Sequence, residues 1–496
     1  MSLSPWYVRS QPLAGKTGSD IFQALYSQSS SPYSGRHPDR SWRTIATLLE
    51  SPSGLPLNTP QARLARYSIC AGPPRCAGDL PLLWTPPVGE ILPMLAKRLA
   101  TPQPEAVLLT EHGDPWTEPL EPFAGGWLGW LGYDLAWEIE ALPVKNADPL
   151  PFPVAYWYEP DTFAIADHLT QRLWLAATQP AQLADMAQAI AQFSPTVPAD
   201  THLTASLQFA SSQIEYEAAV RQAQRHIQAG DIFQANLSLR FTTQTDADSW
   251  TIYQHLHRIN PSPFASYWRT PWGAVVSCSP ERLVSLRTDH PSGNRAETRP
   301  IAGTRPRGTS AETDQQFAQA LMNNRKEQAE HIMLVDLERN DLGRVCAWGT
   351  VHVDELMVLE AYSHVMHLVS NVVGTLAPGK TAIDLIRATF PGGTITGCPK
   401  VRCMEIIEAL EPWRRSLFYG SCGYLDQRGH LDLNILIRTL LLARNASSQQ
   451  TVWGQVGAGI VADSQPTQEW HESLQKAQAQ LLAIGIANSP TSTVTQ

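Results

Sequence analysis

The sequence predicts an α+β fold with mostly antiparallel sheets. Three observations carry this. Apolar runs come in pairs around short polar turns, in residues 155–178 around 168–171 and in residues 416–442 around Gln427-Arg428-Gly429. Longer stretches place apolar or small residues at helical spacing, as in 214–229 and 468–484. No internal repeat of roughly 20–50 residues is visible.

Taken in order, residues 1–60 are rich in Ser, Pro and Arg and show little period. Proline is 39 of 496 residues, much of it before residue 200, which predicts loops over a β-rich layer. Residues 155–178 predict two strands and 180–193 an Ala/Gln-rich helix. The turn-rich stretch Ser194-Pro195-Thr196-Val197-Pro198-Ala199-Asp200 reads as a linker and a domain boundary. It divides an N-terminal region, 1–200, from a second domain, 205–486, with a Ser/Thr-rich disordered tail at 487–496. In the second half, 214–229 is helical and stops at Gly230, and 232–241 and 274–287 are strands. Residues 315–342 predict one long helix, 381–389 and 400–410 two more, and 416–425 with 432–442 a hairpin. Residues 452–461 form a buried strand, followed by a helix over 468–484.

Composition excludes several classes. Lys+Arg is 37 and Asp+Glu is 46, a net charge of −9 with no basic run, which argues against a nucleic-acid binder. No stretch is apolar for long enough to span a membrane, and the N-terminus lacks the basic-then-apolar pattern of a secretory signal. The seven cysteines are odd in number and none shows C-x2-C spacing, which predicts reduced thiols in a cytoplasmic protein.

Some segments hold more glycine and charge than a core needs. In 297–308 two glycines expose backbone N–H groups and three arginines offer forks for a carboxylate. Glu327 and Glu330 share a helical face just before an apolar stripe, and Glu469 and Glu472 repeat the spacing four residues before Lys476. Such carboxylate pairs suit a hard cation such as Mg²⁺. Gly454, Gly457 and Gly459 in one apolar strand imply close approach of a ligand or backbone. Gly392-Gly393-Thr394-Ile395-Thr396-Gly397 lacks the ending of a nucleotide-binding loop but precedes a helix whose N-terminus suits a carboxylate. No nucleophile elbow is complete, and Cys422 reads as a buried strand residue.

Together and in this order these segments resemble the chorismate-utilising enzymes, anthranilate synthase component I and aminodeoxychorismate (p-aminobenzoate) synthase component I. The resemblance covers nearly the whole chain and is strongest over 210–485. In the N-terminal part Leu48-Leu49-Glu50-Ser51 and Arg66-Tyr67-Ser68 echo it. It implies a large α/β sandwich of two facing antiparallel sheets with outer helices. It implies Mg²⁺ on Glu330 and Glu472, with Glu327 and Glu469 as alternates, anchoring the ring carboxylate of chorismate. Glu281 matches the acid that protonates the leaving C4 hydroxyl, which requires a raised pKa and a partly desolvated site. Substrate contacts match Gly303, Thr304, Tyr424, Arg438, Gly457, Ala458, Gly459 and Lys476, and His367 matches a histidine beside the ring.

The two sister activities differ in where ammonia enters. Gln234-Ala235-Asn236-Leu237, Gly125-Gly126-Trp127-Leu128-Gly129 and the 390–397 loop resemble the aminodeoxychorismate type. Ala302 stands where many of those enzymes carry a nucleophilic lysine, as it does in anthranilate synthases. The expectation is therefore amination to 4-amino-4-deoxychorismate, with anthranilate and pyruvate as the alternative and a non-catalytic binding relic as the second. Gln234 replaces the lysine by which isochorismate and salicylate synthases activate water. The chain shows no glutaminase cysteine motif, and the resemblance implies a separate glutamine amidotransferase subunit supplying ammonia. Ser51, Pro261 and Ser262 match the family's tryptophan pocket.

Overall fold

The computed structural model describes residues 5–26, 38–52, 64–100, 108–291, 293–361, 365–444 and 449–486. The tail expected at 487–496 lies outside them. Alternating patterns in the sequence become two large sheets, of 13 and 10 strands among the described residues. Pairing is antiparallel, apart from Trp6–Pro12 with Leu108–Thr110. The sheets face each other across an aromatic layer in which Trp130 of one meets Trp268 of the other at 5.9 Å between rings. Helices Gly18–Tyr26, Pro180–Gln192, Gln213–Gln228, Ser249–Ile259, Lys400–Leu410 and Pro466–Ala483 cover the outside of the larger sheet. Helices Ala311–Met322, Arg325–Gly343 and Ala382–Thr389 cover the smaller one. The α/β sandwich is thus present. No described helix is long and apolar enough to cross a membrane.

The division expected near residue 200 does not divide the sheets. Ala46–Glu50 pairs with Phe264–Thr270 in the larger sheet, and Gly126–Leu131 pairs with Ser421–Asp426 in the smaller. A linker-like composition at 194–200 therefore marks a surface crossing rather than a boundary between cores.

Three local differences matter. The expected single helix over 315–342 is two, because the Asn324 side chain accepts from the N–H groups of Lys326 and Glu327 and starts a new helix. Residues 155–178 form three strands, Ala155–Tyr158, Thr162–Asp167 and Arg172–Ala177, rather than two. The hairpin of Ser421–Asp426 and Leu431–Asn434 is present, but Thr439–Arg444 leaves for the other sheet, pairing with Gly273–Ser279. The chain makes a second such crossing between Gly273–Ser279 and Arg282–Arg287. The two crossings run side by side, with Ile435 N–H donating to Glu281 O at 3.0 Å and Ser279 Oγ donating to Ile435 O at 2.6 Å.

The polar inner face of strand Gln234–Thr245 is fixed by one buried arginine. Alternation sends Ala235, Leu237, Leu239 and Phe241 outward into the helix layer. It sends Gln234, Asn236, Ser238 and Arg240 inward, all buried. Arg415 donates to Glu411 at 2.6 and 3.0 Å, to Asn236 O at 2.7 Å and to Ile395 O at 2.8 Å. Glu411 in turn accepts from Ser238 N–H and Oγ. Arg415→Met leaves Glu411 buried without its partner, so unfolding free energy should fall by about 3–5 kcal/mol, read from the urea midpoint.

Candidate active site

The two sheet crossings place the chemistry. Ser279-Pro280-Glu281 makes one and Ile435–Arg438 the other, so a carboxyl and a guanidinium sit at the same edge of the sandwich. A cleft of about 260 Å³ opens there, lined by Pro280, Arg438, Thr304, His367 and the Pro261-Ser262-Pro263 turn. Arg438 holds φ at +53°, a left-handed value that a side chain adopts only under constraint, and donates to Lys476 O at 2.6 Å.

Glu281 is 5% exposed. Burial pushes its carboxyl up to about 7, against the opposing pull of the Thr394 hydroxyl and the Ile301 N–H beside it. A carboxyl raised this far keeps a proton toward neutral pH, which is the state a proton donor needs. The Ile301 contact puts Ala302 next to the acid along strand Ile301–Pro306. In that strand Gly303 has φ +67°, and a side chain there would meet Glu327 and Leu321. Thr304 Oγ1 lies 3.0 Å from His367 Nδ1 on the paired strand Val365–Thr375. Burial, and then the Arg438 charge, lower His367 to about 4, so the imidazole is neutral at physiological pH.

Strand Gln450–Ile460, the floor strand below, is joined to Arg438 through Lys476, whose carbonyl accepts from Arg438 and whose ammonium donates to Gly457 O, and its glycines are explained by what approaches them. A side chain at Gly454 would run into Phe241, one at Gly457 into Leu237 O, and one at Gly459 into the Gln234 amide. Above Gly457 lie Asn236 Oδ1, buried without a hydrogen-bond partner, and the Tyr419 hydroxyl, while Gln234 turns its Nε2 over Gly459 and leaves its buried Oε1 unpaired. Buried polar atoms carry this cost where a ligand satisfies them. Ala458 points the other way, into the helix layer, and so presents only its backbone.

The four glutamates lie on two facing helices. Burial raises Glu330, and the charges of Glu327 and Glu472 add to that rise against the pull of Lys326, whose Nζ is 3.7 Å away. Burial also acts upward on Glu472, but Lys476 at 2.8 Å brings it below the usual range. Lys476 also donates to Gly457 O at 3.0 Å, tying this helix to the floor. Glu327 is held by Arg305 at 2.8 Å, and Glu469 is raised by burial. The charge of Glu472 thus reaches both Glu330 on the other helix and Glu469 on its own. His331 on the same helix turns away, its Nε2 2.6 Å from Ser370 Oγ.

One expected residue lies elsewhere. Tyr424 is in the wall of a second cavity, of about 290 Å³, together with Ser51, Pro263, Phe264, Arg282 and Asn434. The tyrosine over Gly457 is Tyr419, whose φ of +64° turns it toward the floor and which Arg415 stacks upon at 4.6 Å. Tyr419 precedes the strand Ser421–Asp426 that carries Tyr424. Ser51 reaches the second cavity and donates to Pro263 O at 3.2 Å, whereas Pro261 and Ser262 line the cleft itself. Sequence reading also missed Thr394 as a contact of Glu281, and Glu338 behind it.

A cluster of Glu121, Asp289 and His430 lies apart from the cleft. His430 Nδ1 accepts the Thr288 N–H at 3.0 Å, so Nε2 carries the proton and has no lone pair for a metal. Arg287, 2.8 Å from Glu121, supplies the positive charge there.

A family model described as chorismate binding enzyme matches residues 90–482. An anthranilate synthase component I-like protein of Synechocystis sp. is 57% identical, covering 98% of this chain and 93% of its own. Aminodeoxychorismate synthase component 1 of Bacillus subtilis is 41% identical over 77% of this chain and 85% of its own. The crystal structure of anthranilate synthase component I from Streptococcus pneumoniae superposes with a TM-score of 0.68 at 28% identity, over 87% of this chain and 99% of that one.

The floor is open to direct test. Gly457→Ala drives a Cβ against backbone, so it should cost about 1–3 kcal/mol in urea unfolding. Gly459→Ala meets only the movable end of Gln234, and should cost less than Gly457→Ala in the same measurement.

Proposed function

The chain belongs to the chorismate-binding enzymes, among the anthranilate and aminodeoxychorismate synthases, and from that premise we propose that it aminates chorismate at C4 to give 4-amino-4-deoxychorismate. The observation that carries the chemistry is a buried Glu281, its carboxyl raised to about 7, next to Pro280 in the wall of the cleft that Arg438 and His367 line. Chorismate is a dicarboxylate with a hydroxyl at C4. Glu281 gives its proton to that hydroxyl as the C4–O bond breaks and water leaves. Thr394 and the Ile301 N–H aim the carboxyl, and burial keeps the proton on it. Arg438 and the backbone of Gly457, Ala458 and Gly459 receive a carboxylate, with Lys476 holding that backbone from behind. Neutral His367, fixed by Thr304 and Gly303, packs beside the ring. Tyr419 takes the contact expected of Tyr424.

Glu330 and Glu472, with Glu327 and Glu469 around them, would hold Mg²⁺, which supplies charge neutralisation for the ring carboxylate. Ammonia comes from a separate glutamine amidotransferase subunit. In support, Cys70, Cys278, Cys346, Cys398, Cys403 and Cys422 all have thiols pushed up by burial, the opposite of an activated nucleophile. The free thiols also suit the cytoplasm. The cavity at Ser51 is the place for tryptophan.

The C4 assignment is supported by Gln234 and Asn236, whose buried amides over the glycine floor come from the segment that resembles the aminodeoxychorismate type. One observation favours anthranilate instead. Ala302, which follows the Ile301 N–H bonded to the acid, offers no amine to attack C2, so ammonia itself is free to add there and pyruvate to leave.

The deciding experiment gives the purified chain chorismate, Mg²⁺ and an ammonium salt. Anthranilate is followed by fluorescence and p-aminobenzoate after adding the lyase that acts on aminodeoxychorismate. Lyase-dependent p-aminobenzoate is expected; anthranilate alone overturns the C4 assignment, and unconsumed chorismate overturns catalysis. Ala302→Lys should raise the share of aminodeoxychorismate several-fold.

The acid is tested by pH. Its folded-state pKa of about 7 means the donating form is full below 7 and is lost above it. At constant free ammonia, kcat/KM for chorismate should fall about tenfold per pH unit well above 7. Glu281→Gln should remove that limb and lower kcat by about 10²–10⁴ while leaving Mg²⁺-dependent chorismate binding in place.

A further inference from the structure

Behind Thr394 lies a second buried carboxyl that this chemistry leaves unused. Glu338 is 6% exposed, on the inner face of helix Arg325–Gly343 with His331, Leu334 and Asp341. Its Oε1 lies where Gly393 leaves room, 3.4 Å from the position a Cβ would take there. The next residue, Thr394, faces Glu281. The two carboxyls thus flank one Gly-Thr step.

On its other side Glu338 is followed by Asp341, 2% exposed and bonded to Lys400 Nζ at 2.6 Å. Lys400 also donates to Thr389 O at 2.9 Å. Asp341 and Lys400 line a cavity of about 670 Å³ with Asp336, Arg344 and Cys398. That cavity shares no lining residue with the cleft. A line of ionisable groups therefore runs from an outer cavity to the acid, on a different side from the substrate.

Resting on the chorismate reading above, we propose that Glu338 is a positioning residue that acts through Glu281, returning a proton to it after each turnover from the cavity of Asp341 and Lys400. In the chemical step Glu281 loses its proton to the departing C4 oxygen and is left as a carboxylate. The O–H bond of Glu338 then breaks and its proton joins Glu281. Glu338 regains one from water in the outer cavity by way of Asp341, while the proton released from the added nitrogen leaves on the cleft side. The balance is one proton in and one out.

The surroundings suit this role. Burial, then Asp341 on the same helix, raise Glu338 above the usual carboxyl range. Lys400 from the following helix opposes that rise, Glu281 from the sheet crossing adds to it, and the Thr298 hydroxyl from strand Arg295–Thr298 opposes it. Two carboxyls so placed resist ionising together, and a proton lost by one draws on the other.

The test uses the full chain with chorismate, Mg²⁺ and an ammonium salt, mixed rapidly. For Glu338→Gln the first turnover should keep the wild-type rate while steady-state kcat drops at least tenfold and kcat/KM stays within twofold. Glu338→Asp, which keeps a carboxyl, should restore much of kcat and provides the same comparison if the amide variant does not fold. Equal slowing of the first and later turnovers, or no change in either, overturns the relay. Wild-type chain that leaves chorismate intact overturns the chorismate reading and the relay with it, whereas an active wild type with an unaltered variant overturns the relay alone.

Discussion

The buried pair of Arg415 and Glu411 is the interaction on which the site depends. An ion pair out of water stabilises only when its remaining hydrogen-bonding capacity is met, and here it is met by the site's own backbone. Arg415 bonds Asn236 O from the floor strand's neighbour and Ile395 O from the loop carrying Thr394, and it stacks on Tyr419 and Tyr133. Glu411 bonds Ser238. Elements far apart in the chain thereby share one anchor, and the polar face that would otherwise weaken the sheet becomes its ordered inner surface.

Around that anchor the charges divide by solvent access. Glu281 is enclosed and holds its proton near neutrality, while Glu472 keeps water and a lysine and stays ionised. The same residue type thus keeps a proton in one place and a negative charge in another. Environment sets the difference, as it must for carboxyls of nearly equal intrinsic strength.

Much of this was legible in the sequence, for reasons that can be named. Strands 234–245 and 450–460 show period-2 patterns, and the carboxylates at i and i+3 fall on helices whose caps and periodicity are local properties. The gap between helices at Asn323-Asn324 was not legible, because an asparagine cap inside a helical pattern looks like any polar position. Glycines 454, 457 and 459 announced close approach, but not that Phe241 and Gln234 were what approached. That Tyr424 would lie in the wall of the second cavity was not legible either, because it depends on where the chain changes sheets, a long-range fact. The burial of Glu338 is likewise settled by neighbours distant in sequence.

The side-by-side crossings have a consequence for the molecule as a measuring device. Glu281 and Arg438 each sit on a peptide that bridges the two sheets, so their separation is tied to the thickness of the layer between them. Trp130, Trp268 and their aromatic neighbours set that thickness. The aromatic core is therefore a gauge block for the cleft edge, and residues remote from the cleft fix the span of both crossings.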